Sequence, residues 1–362
     1  MTVAGKPRRA VRPPPTLHTT YRQTFRLWRG KEWGWLSGSV VMALLWPFIV
    51  NAFWLHLSNL ALIAVIATVG LNLLSGNARM VSLGQAAFLA VGGFTAGILG
   101  AQHEFPLWLC LIAAMVAGAL VGLLIGIPSL RLKAIYVAIT TLALHFAVTT
   151  LASIYQVEAV RAQGIILPMP DFGFVKLSES RPWFFFLLMI TAIVILAALN
   201  IQRSYVGRRW IAVADHEVAA RAAGINVPAA KLLAFAICSA IVSLAGALGV
   251  YYEGVLTAET YDIQLAIAYL AMIIVGGVGS VLGSVLGAVL LTFLPYFLDV
   301  AMKVGGIAVS GGSLNGIHSI AYGALILLFL LFEPLGLAAV WYRIRNAGML
   351  WPLKYTPLEA KR

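Results

Sequence analysis

Stretches of about twenty apolar residues follow one another along most of this chain. They lie at 35–55, 57–76, 83–101, 106–127, 134–154, 183–201, 232–252, 263–279, 282–300 and 317–338. A helix needs roughly 20 mostly apolar residues to cross a bilayer. In lipid the backbone must satisfy its own hydrogen bonds, so such runs fold as helices. The expectation is an all-α polytopic membrane protein with about ten transmembrane or re-entrant helices. Glycine and serine interrupt the runs near residues 80 and 280, where re-entrant segments are the alternative to full spans. Composition agrees: 61% of residues are hydrophobic and 10% charged. A soluble domain is about one quarter charged.

Lysine and arginine set the orientation. The net charge is +12, and it gathers outside the apolar runs. Residues 1–34 read as a basic Pro/Arg-rich cytoplasmic tail with no apolar core of a cleavable signal. Residues 35–340 read as the transmembrane domain, with a basic loop at 203–231, and residues 341–362 as a second cytoplasmic tail. With both termini inside, Arg79, Arg131, Lys133 and the 203–231 loop share the cytoplasmic side, as the positive-inside rule expects. Glu104, Glu253, Glu259 and Asp262 fall on the other side. The same rule accounts for the charge with no nucleic acid ligand, and anionic lipid attracts the tails further.

Enzyme chemistry has no visible constellation. The chain lacks a GxxxxGK[ST] loop, an HExxH metal site and a GxSxG elbow. No catalytic residue and no metal site is assigned. Cys110 and Cys238 both fall in apolar runs, which argues against a structural disulfide. Of 13 acidic residues, only Glu253, Asp299 and Glu333 approach span ends. An ion-coupled secondary transporter, the alternative function, would commonly keep a charge at mid-membrane. A membrane enzyme acting on lipid-linked substrates would need an acid–base pair.

Polar residues within the spans are candidates for a translocation pathway: Ser82, Gln85, Thr141 and His145. Thr141, His145 and Thr149 share a helix face by their spacing. They suit either a substrate route or interhelical hydrogen bonding. Glycines recur every four residues at Gly118, Gly122 and Gly126, and at Gly279, Gly283 and Gly287. Together with Gly84, Gly276 and Gly277 they suit close helix packing or an element that slides during gating. The stretches 75–93 and 274–287 look loosely alike, as a duplicated architecture would.

The loop from Trp210 to Lys231 raises its own question. Asp215 suits an N-cap, Glu217 the first helical turn, and Gly224 the position past the end. These define a helix at 216–223, about 12 Å long, with Glu217 and Arg221 paired four apart. Such a peg has an apolar side that needs a partner.

"RSYVGRRWIAVADHEVAARAAGINVPAAKLLAF" from Arg203 resembles the cytoplasmic loop of ABC-importer permeases of the branched-chain amino acid family, LivM type. "LNLLSGNARMVSLGQAAFLAVGGFTAGIL" from Leu71, "PSLRLKAIYVAITTLAL" from Pro128, "MIIVGGVGSVLGSVLGA" from Met272 and "LFEPLGL" from Leu331 extend the resemblance in order. It implies an ABC-importer permease architecture. It also implies an ATPase-coupling loop carried by Asp215, Glu217, Ala219, Ala220 and Gly224. The implied partners are two ABC ATPase subunits, a related second permease and a soluble substrate-binding protein. ATP and Mg would be bound by the ATPases, with no cofactor in this chain. The implied location is the bacterial inner membrane. The implied cargo is a branched-chain amino acid, or the urea, amide or aromatic acid that relatives carry.

Overall fold

The structure, a computed structural model, describes residues 30–130, 134–160, 164–168, 179–304 and scattered positions between 320 and 343. Most of the expected span at 317–338 and most of both tails lie outside these. Helix α1 covers Gly30–Ile49 and belongs to a separate unit that ends at Val50. The helix begins inside the stretch read as a tail and ends at Ile49, so the run at 35–55 contains a helix boundary. The second unit starts at Asn51.

That unit contains α2 (Ala52–Asn72), α3 (Gln85–Gln102), α4 (Leu107–Ser129), α5 (Ala134–Val160) and α6 (Ser180–Arg203). Two short helices follow, α7 (Tyr205–Asp215) and α8 (Glu217–Ala222). Then come α9 (Val227–Glu253), α10 (Ile263–Gly276) and α11 (Val281–Val304). Among the described residues, seven helices are long and apolar enough to cross a membrane. Helix α10 has 14 residues, about 21 Å, which falls short of the roughly 30 Å hydrocarbon core. The run at 263–279 is therefore less than a full crossing, and glycine is the reason. Gly277 and Gly279 take φ of 111° and 88°, which L-residues avoid.

Two helices form the centre. Helices α2 and α9 are buried along most of their apolar length, whereas α5 is buried along little of it. Apolar residues drive insertion but cannot drive helix association in lipid, so close packing and polar contacts must do so. Both are present. A Cβ on Gly92 of α3 would collide with the Ser243 carbonyl of α9. Gly118 and Gly122 of α4 receive the Ser243 and Ser239 side chains of the same helix. The Ser243 hydroxyl also donates to the Phe88 carbonyl at 2.8 Å. The 118–122–126 ladder is thus the α4 side of the α4–α9 contact. Of the 279–283–287 ladder, Gly283 and Gly287 close the α10–α11 hairpin against Gly276, whose Cβ would collide with the Gly283 carbonyl. Gly279 lies before α11, in the link at positive φ, and is not on that helix face.

Each end of the bundle is tied separately. At the acidic end, β1 (Ile165–Ile166) pairs antiparallel with β2 (Val255–Leu256). Gln156 accepts from the Ala258 amide at 2.6 Å. His56 meets the Tyr252 hydroxyl at 2.7 Å. In the turn at 258–261, burial pushes the Tyr261 hydroxyl far above its ordinary value, with the charge of Glu253 adding to the shift. The opposite, basic end carries the 203–231 loop.

Candidate functional site

Ser204 explains where the loop begins. Its hydroxyl accepts from the Val206 and Gly207 amides, capping α7 after α6 has ended at Arg203. Helix α7 is amphipathic, with Gly207, Trp210 and Val213 buried. Trp210 is 2% exposed, and its indole Nε1–H donates to the Ala230 carbonyl at 2.9 Å. The loop is thereby anchored to the first turn of α9. Asn226 caps that helix through the Ala229 amide.

Between these anchors stands α8, six residues long and about 9 Å in length. The expected helix at 216–223 is present with its ends drawn in by one residue. Its C-terminus is a Schellman turn. The Gly224 amide donates to the Arg221 carbonyl and the Ile225 amide to the Ala220 carbonyl, each at 3.0 Å. Gly224 has φ of 81°, the conformation its residue type favours.

Two pairings differ from expectation. Asp215 does not cap α8. It is the last residue of α7, and extended His216 (φ −158°) occupies the N-cap position with no side-chain bond. A carboxylate at a helix C-terminus is disfavoured by the dipole, and Arg79 offsets this with an ion pair to Asp215 at 2.8 Å. Glu217 pairs with Lys231 instead of Arg221, because the Gly224 reversal brings α9 back alongside. Ala220 is buried against the loop, while Ala219 and Gly224 are exposed and Val218 is 73% exposed.

The loop also touches the turn that follows α2, a π-helical stretch at Leu73–Asn77. Gln202 Nε2 donates to Asn77 Oδ1 at 2.9 Å. Arg79 lies two residues further on, with φ of 50°. No pairwise sequence signal marks Asn77–Gln202 or Arg79–Asp215. Trp210 could have been found, since Val206, Trp210 and Val213 repeat at helical spacing among arginines.

The pathway candidates gather elsewhere. Ser82, Gln85, Thr141 and His145 are all buried. Thr141 Oγ1 accepts from the Leu83 amide at 3.0 Å and donates to the Ala138 carbonyl at 2.9 Å. Gly84 packs directly on the Thr141 backbone. Ser82 Oγ accepts from the Gly84 amide at 3.3 Å. Gln85 Nε2 donates to the Ala67 carbonyl at 3.0 Å. His145 lies one turn further along α5, edge-on to Phe146 at 5.5 Å. Among the described residues no cluster of ligating side chains could hold a metal ion.

Comparison with known proteins matches residues 53–332 to the family described as branched-chain amino acid transport system, permease component. The chain is 29% identical over 269 residues to the high-affinity branched-chain amino acid transport system permease protein LivM of Salmonella typhimurium. It is equally similar to the Escherichia coli protein of the same name. Each match covers 68% of this chain and 63% of the relative. A probable branched-chain amino acid transport permease protein LivM of Methanocaldococcus jannaschii is 28% identical over 63% of this chain and 67% of its own. No solved structure matches the chain.

Proposed function

The chain belongs to the family of branched-chain amino acid transport permease components, and on that premise we propose that it is the membrane-spanning permease subunit of an ABC importer. A soluble binding protein delivers a branched-chain amino acid, or a related small polar solute, to the outer face. Two ATPase subunits bind and hydrolyse ATP with Mg on the cytoplasmic face. A second, related permease completes the pathway. The chain lies in the bacterial inner membrane with residues 1–34 and 341–362 cytoplasmic. It performs no covalent chemistry itself.

The observation that carries this proposal is the α8 peg. A six-residue helix, closed by Gly224 and fixed at Trp210, presents Val218 at 73% exposure. An apolar side chain held out on a rigid support suits insertion into a groove of another protein. The permease then acts as a two-state element biased by its partners. Moving such an element from 1:99 to 99:1 takes about 5.5 kcal/mol of differential binding, so the input comes from the ATPases and not from catalytic residues here. Polar groups at 82–85 and on α5 are the proposed lining of the pathway.

The test is reconstitution with the partner subunits in proteoliposomes. Glu217→Lys should lower uptake and ATP hydrolysis together. Val218→Cys should react with an impermeant thiol reagent from the cytoplasmic side only; the native Cys110 and Cys238 are buried. Labelling from outside, or uptake that survives ATP depletion and collapses with an ion gradient, would overturn the proposal.

A further inference from the structure

Two breaks in the bundle meet main chain to main chain. One is the turn at 73–80 after α2. The other is the glycine link at 277–280 between α10 and α11. Asn72 is 1% exposed, and its Oδ1 accepts from the Gly279 amide at 2.7 Å. A Cβ on Gly76 would lie 2.5 Å from the Gly279 backbone, so the two links touch main chain to main chain. Gly336, from the LFEPLGL stretch, backs Gly277 just as closely. The Thr68 hydroxyl faces the Ser284 carbonyl across the same junction at 3.4 Å.

The helices that lead into the peg are bound to the far end of the same turn. Arg79–Asp215 holds the end of α7 at 2.8 Å, and Asn77–Gln202 holds the end of α6 at 2.9 Å. The turn is short and internally braced, with the Ala78 and Met80 amides donating to the Leu73 and Leu74 carbonyls. A braced element fixed at both ends transmits displacement, whereas a slack loop absorbs it. Coupling through contiguous packed and hydrogen-bonded contacts requires an element with two arrangements, and a glycine link has the backbone freedom for one. Gly277 and Gly279 sit at positive φ, where backbone rotation meets no Cβ. The Asn72 Nδ2 group is buried with no acceptor among the described residues. An unpaired buried donor is costly, so this junction is not at its hydrogen-bonding optimum.

We propose that the 73–80 turn transmits motion from the peg to the bundle. Arg79 receives the displacement from Asp215, and Asn72 passes it to the glycine link at 277–280. Both are positioning residues. The proposal rests on the permease reading, because it presumes a partner that pushes α8.

The experiment measures uptake and ATP hydrolysis separately in the reconstituted transporter, and reads their ratio. ATP-dependent uptake by the unmodified chain must appear first; without it the permease reading fails, and the turn is not what failed. Given that activity, Arg79→Glu and Asp215→Arg should each reduce solute moved per ATP by about fivefold, the upper range for an exposed ion pair. ATP hydrolysis should fall less than uptake. The double variant carrying both should recover the ratio, which a general folding defect would not allow. Arg79→Ala combined with Asn72→Ala should lose no more than the worse single variant, since links in series fail once. Unaltered ratios in the single variants, failure of the charge swap to rescue, or losses that multiply in the Arg79/Asn72 pair would each overturn the proposal.

Discussion

Replacing Gly224 isolates backbone geometry from side-chain contact. Its φ is 81°, and a Cβ built there has nothing within 4 Å. Any cost of substitution therefore comes from the dihedral angle and not from a clash. The left-handed region costs an L-residue about 1–2 kcal/mol. Ordinarily Gly→Ala gains about 0.4–1 kcal/mol by restricting the unfolded chain, but at positive φ the sign reverses. The penalty falls on the Schellman turn that closes α8, where the Gly224 and Ile225 amides bond the Arg221 and Ala220 carbonyls. At tenfold per 1.4 kcal/mol, opening of this turn should become roughly 5- to 30-fold more frequent. Amide hydrogen exchange on the chain in nanodiscs reads that opening at residues 217–225. Gly224→Ala and Gly224→Lys should accelerate exchange alike, because both carry the same Cβ and that Cβ meets no neighbour. Gly224→Asn should do so less, since asparagine tolerates this region. Acceleration that scales with side-chain volume would refute the dihedral explanation. So would an alanine variant whose exchange matches that of the glycine parent.

Two further outcomes follow from the packing. Gly92→Ala places a methyl group into the Ser243 carbonyl, whereas a Cβ on Gly249 finds only an Ile63 methyl at 3.8 Å. The first should cost about 1–3 kcal/mol by overpacking and lower the melting temperature in detergent by several degrees; the second should leave it unchanged or raise it, and equal shifts would refute the close-approach reading of α3 and α9. Trp210→Phe removes the indole donor to the Ala230 carbonyl, worth about 1 kcal/mol. Limited trypsin digestion should then cut faster at Arg208 and Arg209, and an unchanged rate would mean that Trp210 does not anchor the loop.

Local patterns were legible where one segment contained the whole signal. Apolar length located the crossing helices. The four-residue spacing of Gly118, Gly122 and Gly126 marked a face that packs closely, and Gly224 marked the end of the peg. Misreadings arose where the signal depended on a neighbour. Asp215 looked like a cap because aspartate often is one, yet Ser204 had already started a helix that carried Asp215 to the wrong end. Glu217 seemed to belong with Arg221 on one short helix, until the reversal at Gly224 brought in Lys231 from the next. The break near residue 50 was hidden because Asn51, the N-cap of α2, is a lone polar residue among apolar ones.

What the amino-acid order determined is a helical membrane protein with a small helix in its basic loop. Hydropathy and backbone hydrogen bonding act over one or two turns, so a single strand of text carries them. Only the tertiary structure brought Asn72 to Gly279, Asn77 to Gln202 and Arg79 to Asp215. These partners are more than 100 residues apart. Their meeting depends on how the helices pack, and in lipid that is decided by close-range fit and polar contact rather than by apolar content.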